Sequence, residues 1–183
     1  MRGKIFVIEG SDGSGKKTQT EMLMQRAAFN GYKVNTLSFP QYENFFGKEV
    51  RAYLNGEFGN LDSVPPKLAS LLYSLDRFSV KSELNASLDA GYNIFLDRYL
   101  ESNMGYQGAK FYGRDREEFI NWLYELEVKK LGLPESDLVI YLNLPLEFSQ
   151  KAMEKEGRKK DIYESNLDYL KKEVRLKFKR LTD

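Results

Sequence analysis

The chain has 183 residues, 42% of them hydrophobic, and its 28 Lys and Arg against 27 Asp and Glu leave a net charge of +1. This length fits one globular domain with a real core, and so even a charge balance argues against a general polyanion binder such as a nucleic-acid protein. With no cysteine and no histidine, disulfides, thiolate zinc sites, Ser-His-Asp triads and Cys-His nucleophiles are excluded, so any chemistry runs on Lys, Arg, Asp, Glu, Tyr, Ser or Thr.

From its charged start the chain passes directly into Ile5-Phe6-Val7-Ile8, an apolar run that reads as a buried parallel strand. The start resembles no signal peptide, and no apolar run approaches the roughly 20 residues needed to cross a bilayer. A cytoplasmic protein without membrane attachment is the expectation. The strand runs into EGSDGSGKKTQ, Glu9 to Gln19, which contains Gly-x4-Gly-Lys, and a helical pattern follows in Leu23/Ala27 and Met24/Ala28, stopping at Asn30-Gly31. A glycine-rich turn between strand and helix lets the NH groups of Gly13 to Lys16 surround an anion at a positive helix terminus. Gly10, Ser11, Asp12, Gly13, Ser14, Gly15 and Lys16, with Lys17 and Thr18 beyond, are therefore a candidate phosphate-binding loop. The usual loop follows its lysine with a Ser or Thr that binds Mg²⁺. Here Lys17 takes that place, and the hydroxyl comes one residue later.

Val34 to Ser38 reads as a weaker strand. A helix opening at Pro65-Pro66 carries Leu68, Leu71, Leu72 and Leu75, and is predicted to continue as one element through Leu84 and Leu88 to Ala90-Gly91. Ile94 to Leu96 forms the next strand and ends at Asp97, a carboxylate suited to hold Mg²⁺ through water, with Glu9 a weaker candidate. Phe119, Leu123 and Leu126 mark another helix, Leu138 to Leu142 the fourth strand, and Leu167, Leu170, Val174, Phe178 and Leu181 a last helix after a basic GRKK segment. Strands alternating with helices predict an α/β fold in one domain spanning 1–183, without repeats or linkers.

The loop, SFP at 38 to 40, LLYSLDR at 71 to 77 and DRYLESNMGYQGAK at 97 to 110 follow one another in an order similar to the thymidylate kinase family of nucleoside monophosphate kinases. The resemblance extends from about Lys4 to Leu181. It implies a three-layer α/β/α P-loop kinase fold with a parallel sheet of four to five strands and a short helical lid at about 154–163. It also implies conversion of dTMP to dTDP with ATP and Mg²⁺, and a homodimer.

Residue by residue, the family pattern implies that the loop binds ATP, with Lys16 at its β- and γ-phosphates, and that Asp12 accepts a hydrogen bond from the acceptor's 3′-hydroxyl. Arg98 would grip the acceptor phosphate with its planar fork, the plainer alternative being a salt bridge to Asp97. Tyr73 matches the base-stacking aromatic, and Arg77, four residues on and on the same helix face, the arginine at the thymine edge or the nearby phosphate. Ser102 and Gln107 suit the pyrimidine edge, Tyr106 the sugar, and Phe39-Pro40 the wall beneath the base. Three departures stand out. Tyr42 occupies a place the family often gives to arginine. Gly13 stands where some members carry an arginine, so the transition-state cation is expected from EGRKKDIYE, 156 to 164, with Arg158 first and Lys159 and Lys160 behind it. The chain also stops at Thr182-Asp183, where family members continue into another strand and helix. The alternatives are a kinase for another nucleoside monophosphate or a deoxynucleoside, and a nucleotide-binding module with little turnover. No N-K-x-D segment suggests a GTPase switch.

Overall fold

The short apolar runs pair as their burial demands. In the computed structural model, which describes residues 1–145, 147–149, 151, 161–163, 165, 166 and 169, β1 (Ile5–Gly10) lies at the centre of a parallel sheet. β3 (Asn93–Asp97) and β4 (Leu138–Leu142) flank it, and β2 (Val34–Ser38) lies beyond β3, giving the order β2-β3-β1-β4. Arg158, Lys159, Lys160, most of the expected lid and, apart from Tyr169, the expected helix from Leu167 to Leu181 fall outside the described residues. The α/β/α expectation holds, with helices on both sides of the four strands.

Six α-helices connect the strands: α1 (Lys16–Phe29), α2 (Phe45–Leu54), α3 (Pro66–Ser79), α4 (Lys81–Asp89), α5 (Leu100–Gly108) and α6 (Gly113–Tyr124), the last running on as a π-helix over Glu125–Lys130. The single helix predicted over 65–89 is in fact two. Val80, at φ −108° and ψ 10°, ends α3 and begins α4. The spacing explains the break, because Leu75 and Leu84 are nine residues apart and at about 100° per residue would project from opposite sides of a straight helix. Turning the chain at Val80 brings Leu84 and Leu88 into the core, both almost fully buried, while Leu68 stays exposed.

Strand alternation divides the sheet into two faces. Ile5 and Val7 of β1 align with Ile94 and Leu96 of β3 and pack with Leu84, Leu88, Phe119 and Leu123 in the main core. Phe6 stacks on Phe95 at 5.1 Å on the other face, where α1 crosses the strands. The same alternation sends the two strand-end carboxylates apart. Glu9 follows Val7 toward the core face, and Asp97 follows Phe95 toward the α1 face.

Candidate active site

The loop after β1 is shaped by glycine. Gly15 caps α1 at φ 86°, a left-handed conformation costly for other residues, and a Cβ on Gly10 would come within 2.6 Å of Ser14 Oγ. Lys16, at the first position of α1, is 7% exposed and folds back over the loop. Its Nζ donates to the carbonyls of Gly10 at 3.1 Å and Ser11 at 3.0 Å and lies 3.7 Å from Asp12 Oδ1. Burial lowers its pKa, as does the Arg98 charge, while Asp12, Asp97 and Glu9 pull the other way. An anion entering the loop therefore meets a desolvated ammonium already aimed into it.

Arg98 joins this loop to a cleft on the core face. Its backbone is left-handed at φ 68°, an uncommon state for a side chain of this size, and its neighbours hold it there. Arg98 N–H donates to Ile8 O at 3.1 Å, and the next amide, Tyr99 N–H, donates to Glu9 Oε1 at 3.1 Å. Its guanidinium does not pair with Asp97. One Nη donates to Asp12 Oδ1 at 2.7 Å, and the other donates to Ser102 Oγ at 3.1 Å and lies 4.0 Å from Glu9 Oε2. Burial opposes the charge of Arg98, but Asp12, Tyr106 and Glu9 more than offset it and raise its pKa. Glu9 is fully buried, and burial pushes its carboxyl up to about 7. Both its oxygens are engaged, since Ser102 Oγ donates to Oε2 at 2.7 Å. Glu9, the weaker sequence candidate for a metal, is thus occupied within the protein.

Behind Arg98 the cleft is walled by Phe39, Pro40, Tyr42, Tyr73, Arg77, Ser102, Tyr106 and Gln107. Every acceptor-side residue singled out in the sequence is brought together here. The Phe39-Pro40 peptide is cis. Tyr106 stacks against the Arg98 guanidinium at 5.3 Å and donates to Asp12 Oδ2 at 3.4 Å. Tyr42 carries the Arg51 guanidinium 4.7 Å from its ring centre, so a cation does stand beside the position where the family often has arginine. Gln107 Nε2 donates to Tyr163 Oη, leaving Gln107 Oε1 buried and without a partner. Asp161 and Tyr163, just beyond the basic segment, also line the cleft, and Tyr163 packs edge-on against Tyr106 with centroids 5.3 Å apart.

Two further residues were missed by sequence reasoning. Asn103 lines the cleft, and Glu127, completely buried, anchors the arginine behind it. Arg77 is itself 2% exposed, and its fork is spent on Glu127, with Nε–Oε2 at 2.7 Å and Nη2–Oε1 at 2.5 Å. Ser74 Oγ and Asn103 Nδ2 also donate to Glu127 Oε1, at 2.8 and 3.1 Å. The signal for Glu127 was its spacing, four residues after Leu123 and eight after Phe119, which puts a charge where the apolar stripe of α6 runs on into the π-helical turn. For Asn103 it was the same spacing from Tyr99 and Gln107.

On the opposite face, Asp97 shares a groove with Lys17, Thr20, Glu21, Thr36 and Ser38. Asp97 Oδ1 is buried without a hydrogen-bond partner, as is Ser14 Oγ in the loop. Lys17 is exposed. Among the described residues no cluster of three or more acidic side chains could cage a metal. The donor set therefore fits a hydrated ion touched by one carboxylate, which is how Mg²⁺ is commonly held.

Comparison with known proteins gives one answer. Residues 8–183 match the family model described as thymidylate kinase. A thymidylate kinase of Mycobacterium tuberculosis is 32% identical over 171 residues, covering 90% of this chain and 79% of that protein. The human thymidylate kinase is also 32% identical, over 79% of this chain and 63% of that protein. A solved thymidylate kinase from Candida albicans, described as revealing the origin of broad substrate specificity, superposes with a TM-score of 0.76 at 28% identity, over the whole of this chain and 79% of that one.

Proposed function

The chain belongs to the thymidylate kinase family, and from that premise we propose that the loop and cleft carry ATP-dependent phosphorylation of dTMP to dTDP. The observation that carries the reading is the Arg98–Asp12 pair at 2.7 Å. Asp12 belongs to the phosphate loop and Arg98 to the acceptor cleft, so one ion pair ties the two substrate sites together.

The acceptor phosphate is already an anion, and in-line transfer needs alignment and charge neutralisation more than proton removal. That suits a site without histidine. Lys16 releases the Gly10 and Ser11 carbonyls to meet the β- and γ-phosphates of ATP. Arg98 offers its fork to the acceptor phosphate, and Asp12 receives the 3′-hydroxyl. Tyr73 and Phe39-Pro40 enclose the base, Tyr106 crowds the sugar, and the unpartnered oxygen of Asn103 accepts the single ring N–H of the thymine, with Ser102 and Gln107 lining the same pocket. Arg77 borders the base while Glu127 holds its fork. Asp97 and the Ser14 hydroxyl are the residues that would hold Mg²⁺, which supplies further neutralisation of the phosphates when bound. The basic residues Arg158, Lys159 and Lys160 remain the proposed source of the transition-state cation.

A coupled ADP assay with dTMP, dUMP, UMP, CMP and AMP as acceptors tests the reading. Fastest turnover with dTMP is expected; a faster ribonucleotide would reassign the substrate, and ATP binding without stimulated ADP release would leave only a nucleotide-binding module. The family resemblance also supports a homodimer, which a concentration-independent monomer in sedimentation would overturn. No described helix is long and apolar enough to cross a membrane, and cytoplasmic residence goes with this reading.

A further inference from the structure

Glu127 is a charge in an expensive place. It is fully buried on the π-helical turn after α6 and does not line the cleft, yet it gathers four hydrogen bonds from three side chains that sit on or behind the cleft wall. Burying a carboxylate this completely requires compensation, and the Arg77 fork supplies it. A salt bridge alone, however, does not account for the Asn103 contact.

That contact fixes the orientation of an amide. Asn103 Nδ2 lies 3.1 Å from Glu127 Oε1 and 3.2 Å from the Ser70 carbonyl. Both are acceptors, and an amide oxygen turned toward either would face lone pairs. The carboxamide is therefore held with NH₂ inward, and Oδ1, buried and unpartnered, is the polar atom left to meet a ligand. Asn103 is 3% exposed and lines the cleft. We propose that Glu127 is a specificity-determining positioning residue: by locking the Asn103 amide and the Arg77 fork, it restricts the cleft to pyrimidine edges that present an N–H to an acceptor. Thymine and uracil carry such a ring N–H. Cytosine presents a bare ring nitrogen there, which would leave two acceptors facing each other in a buried site, and mismatches of that kind are rejected strongly.

This inference rests on the reading of the cleft as an acceptor-nucleotide site, and its test separates the two. Wild type and Glu127→Gln are assayed with dTMP and dCMP. A glutamine can turn its own NH₂ toward Asn103, which replaces one of the two acceptors behind the amide with a donor and leaves only the Ser70 carbonyl to oppose its rotation. The dTMP-to-dCMP ratio of kcat/KM is expected to fall at least tenfold in the variant, through a higher KM for dTMP and a lower one for dCMP. A merely structural role would slow both substrates alike, so a ratio within threefold of wild type overturns the proposal. If wild type phosphorylates no thymine nucleotide, the functional reading itself fails. Should Glu127→Gln not fold, wild type labelled with ¹³C and ¹⁵N at asparagine serves instead. Saturating dTMP should shift the Asn103 carboxamide carbon and dCMP should not; equal shifts with both, or none with either, overturn the proposal.

Discussion

The two ends of β1 and β3 carry one carboxylate each, and the sheet treats them in opposite ways. Glu9, on the core face, has both oxygens bonded and Arg98 at 4.0 Å. Asp97, on the α1 face, keeps an oxygen buried and unbonded beside the phosphate loop. One residue of strand offset decides which surroundings each meets. The contrast separates a group that shapes the site from one with acceptor capacity to spare: Glu9 holds Arg98 and the start of α5 in place, whereas Asp97 Oδ1 accepts no hydrogen bond.

The largest effect should come from the loop on which both carboxylates act. Lys16→Ala is expected to lower kcat in the ADP assay by on the order of 10³, the scale on which removing one preorganised charge or donor acts. Because, among the described residues, Lys16 Nζ bonds only loop carbonyls besides its Asp12 contact, the melting temperature should move little; unchanged kcat would show that the phosphate loop is misassigned. Next comes Asp97→Asn. If Asp97 steadies a hydrated metal, the Mg²⁺ concentration for half-maximal rate should rise by about 10-fold, with KM for dTMP unchanged. A shift in dTMP KM without a Mg²⁺ shift would erase the difference between the two carboxylates.

The fold was more legible than the site. All four strands could be read because buried parallel strands are continuous apolar runs, and the apolar stripes of α1 and α6 were equally direct. α2 and α5 were not, for identifiable reasons. α2 contains Gly47, which looks like a helix breaker; yet a Cβ there would come within 1.8 Å of Gln41 O, so its role is close approach. α5 is LESNMGYQG, and besides Leu100 and Met104 it buries Ser102, Asn103 and Gln107, too short and too polar a stripe to read as a helix. Its order comes from partners such as Glu9, Ser70 and Tyr163, which are distant in sequence. Site membership was readable because motifs name residues. Commitment was not, since nothing in LLYSLDR says that the arginine fork will be consumed by a glutamate fifty residues on.

A smaller effect distinguishes Glu9 by pH. Its pKa is raised by burial from 4.5 to about 7, so between those values the folded protein holds a proton that the unfolded chain has lost. Stability from this group is therefore greatest below pH 4.5 and declines as pH rises toward and through 7, by roughly 3 kcal/mol in all. Glu9→Gln, which keeps an acceptor for Tyr99 N–H, should flatten that part of the stability–pH curve in chemical denaturation at pH 5 and pH 8. It should also raise KM for dTMP a few-fold by loosening Arg98, and leave the Mg²⁺ requirement alone. A variant whose curve keeps the wild-type slope would mean that Glu9 is ionised throughout.

The smallest effect is expected at Lys17. It is exposed in the first turn of α1 and shares the groove of Asp97, Thr20 and Glu21, away from the acceptor cleft. An exposed position of this kind contributes little to folding, so Lys17→Thr should leave stability within about 0.5 kcal/mol of wild type. Its influence should be electrostatic and local. A cation near Asp97 competes with any metal held there, and threonine removes that cation while placing a hydroxyl directly after the loop lysine. The half-saturating Mg²⁺ concentration should therefore fall about threefold at low salt and less at high salt, where the competing charge is already screened. The dTMP KM should not change, because Lys17 lies on the Asp97 side of the sheet. If Lys17→Thr instead raises the Mg²⁺ requirement and weakens ATP, the ammonium is itself a phosphate ligand. The α1 face would then be prepared for charge neutralisation by protein as well as by metal.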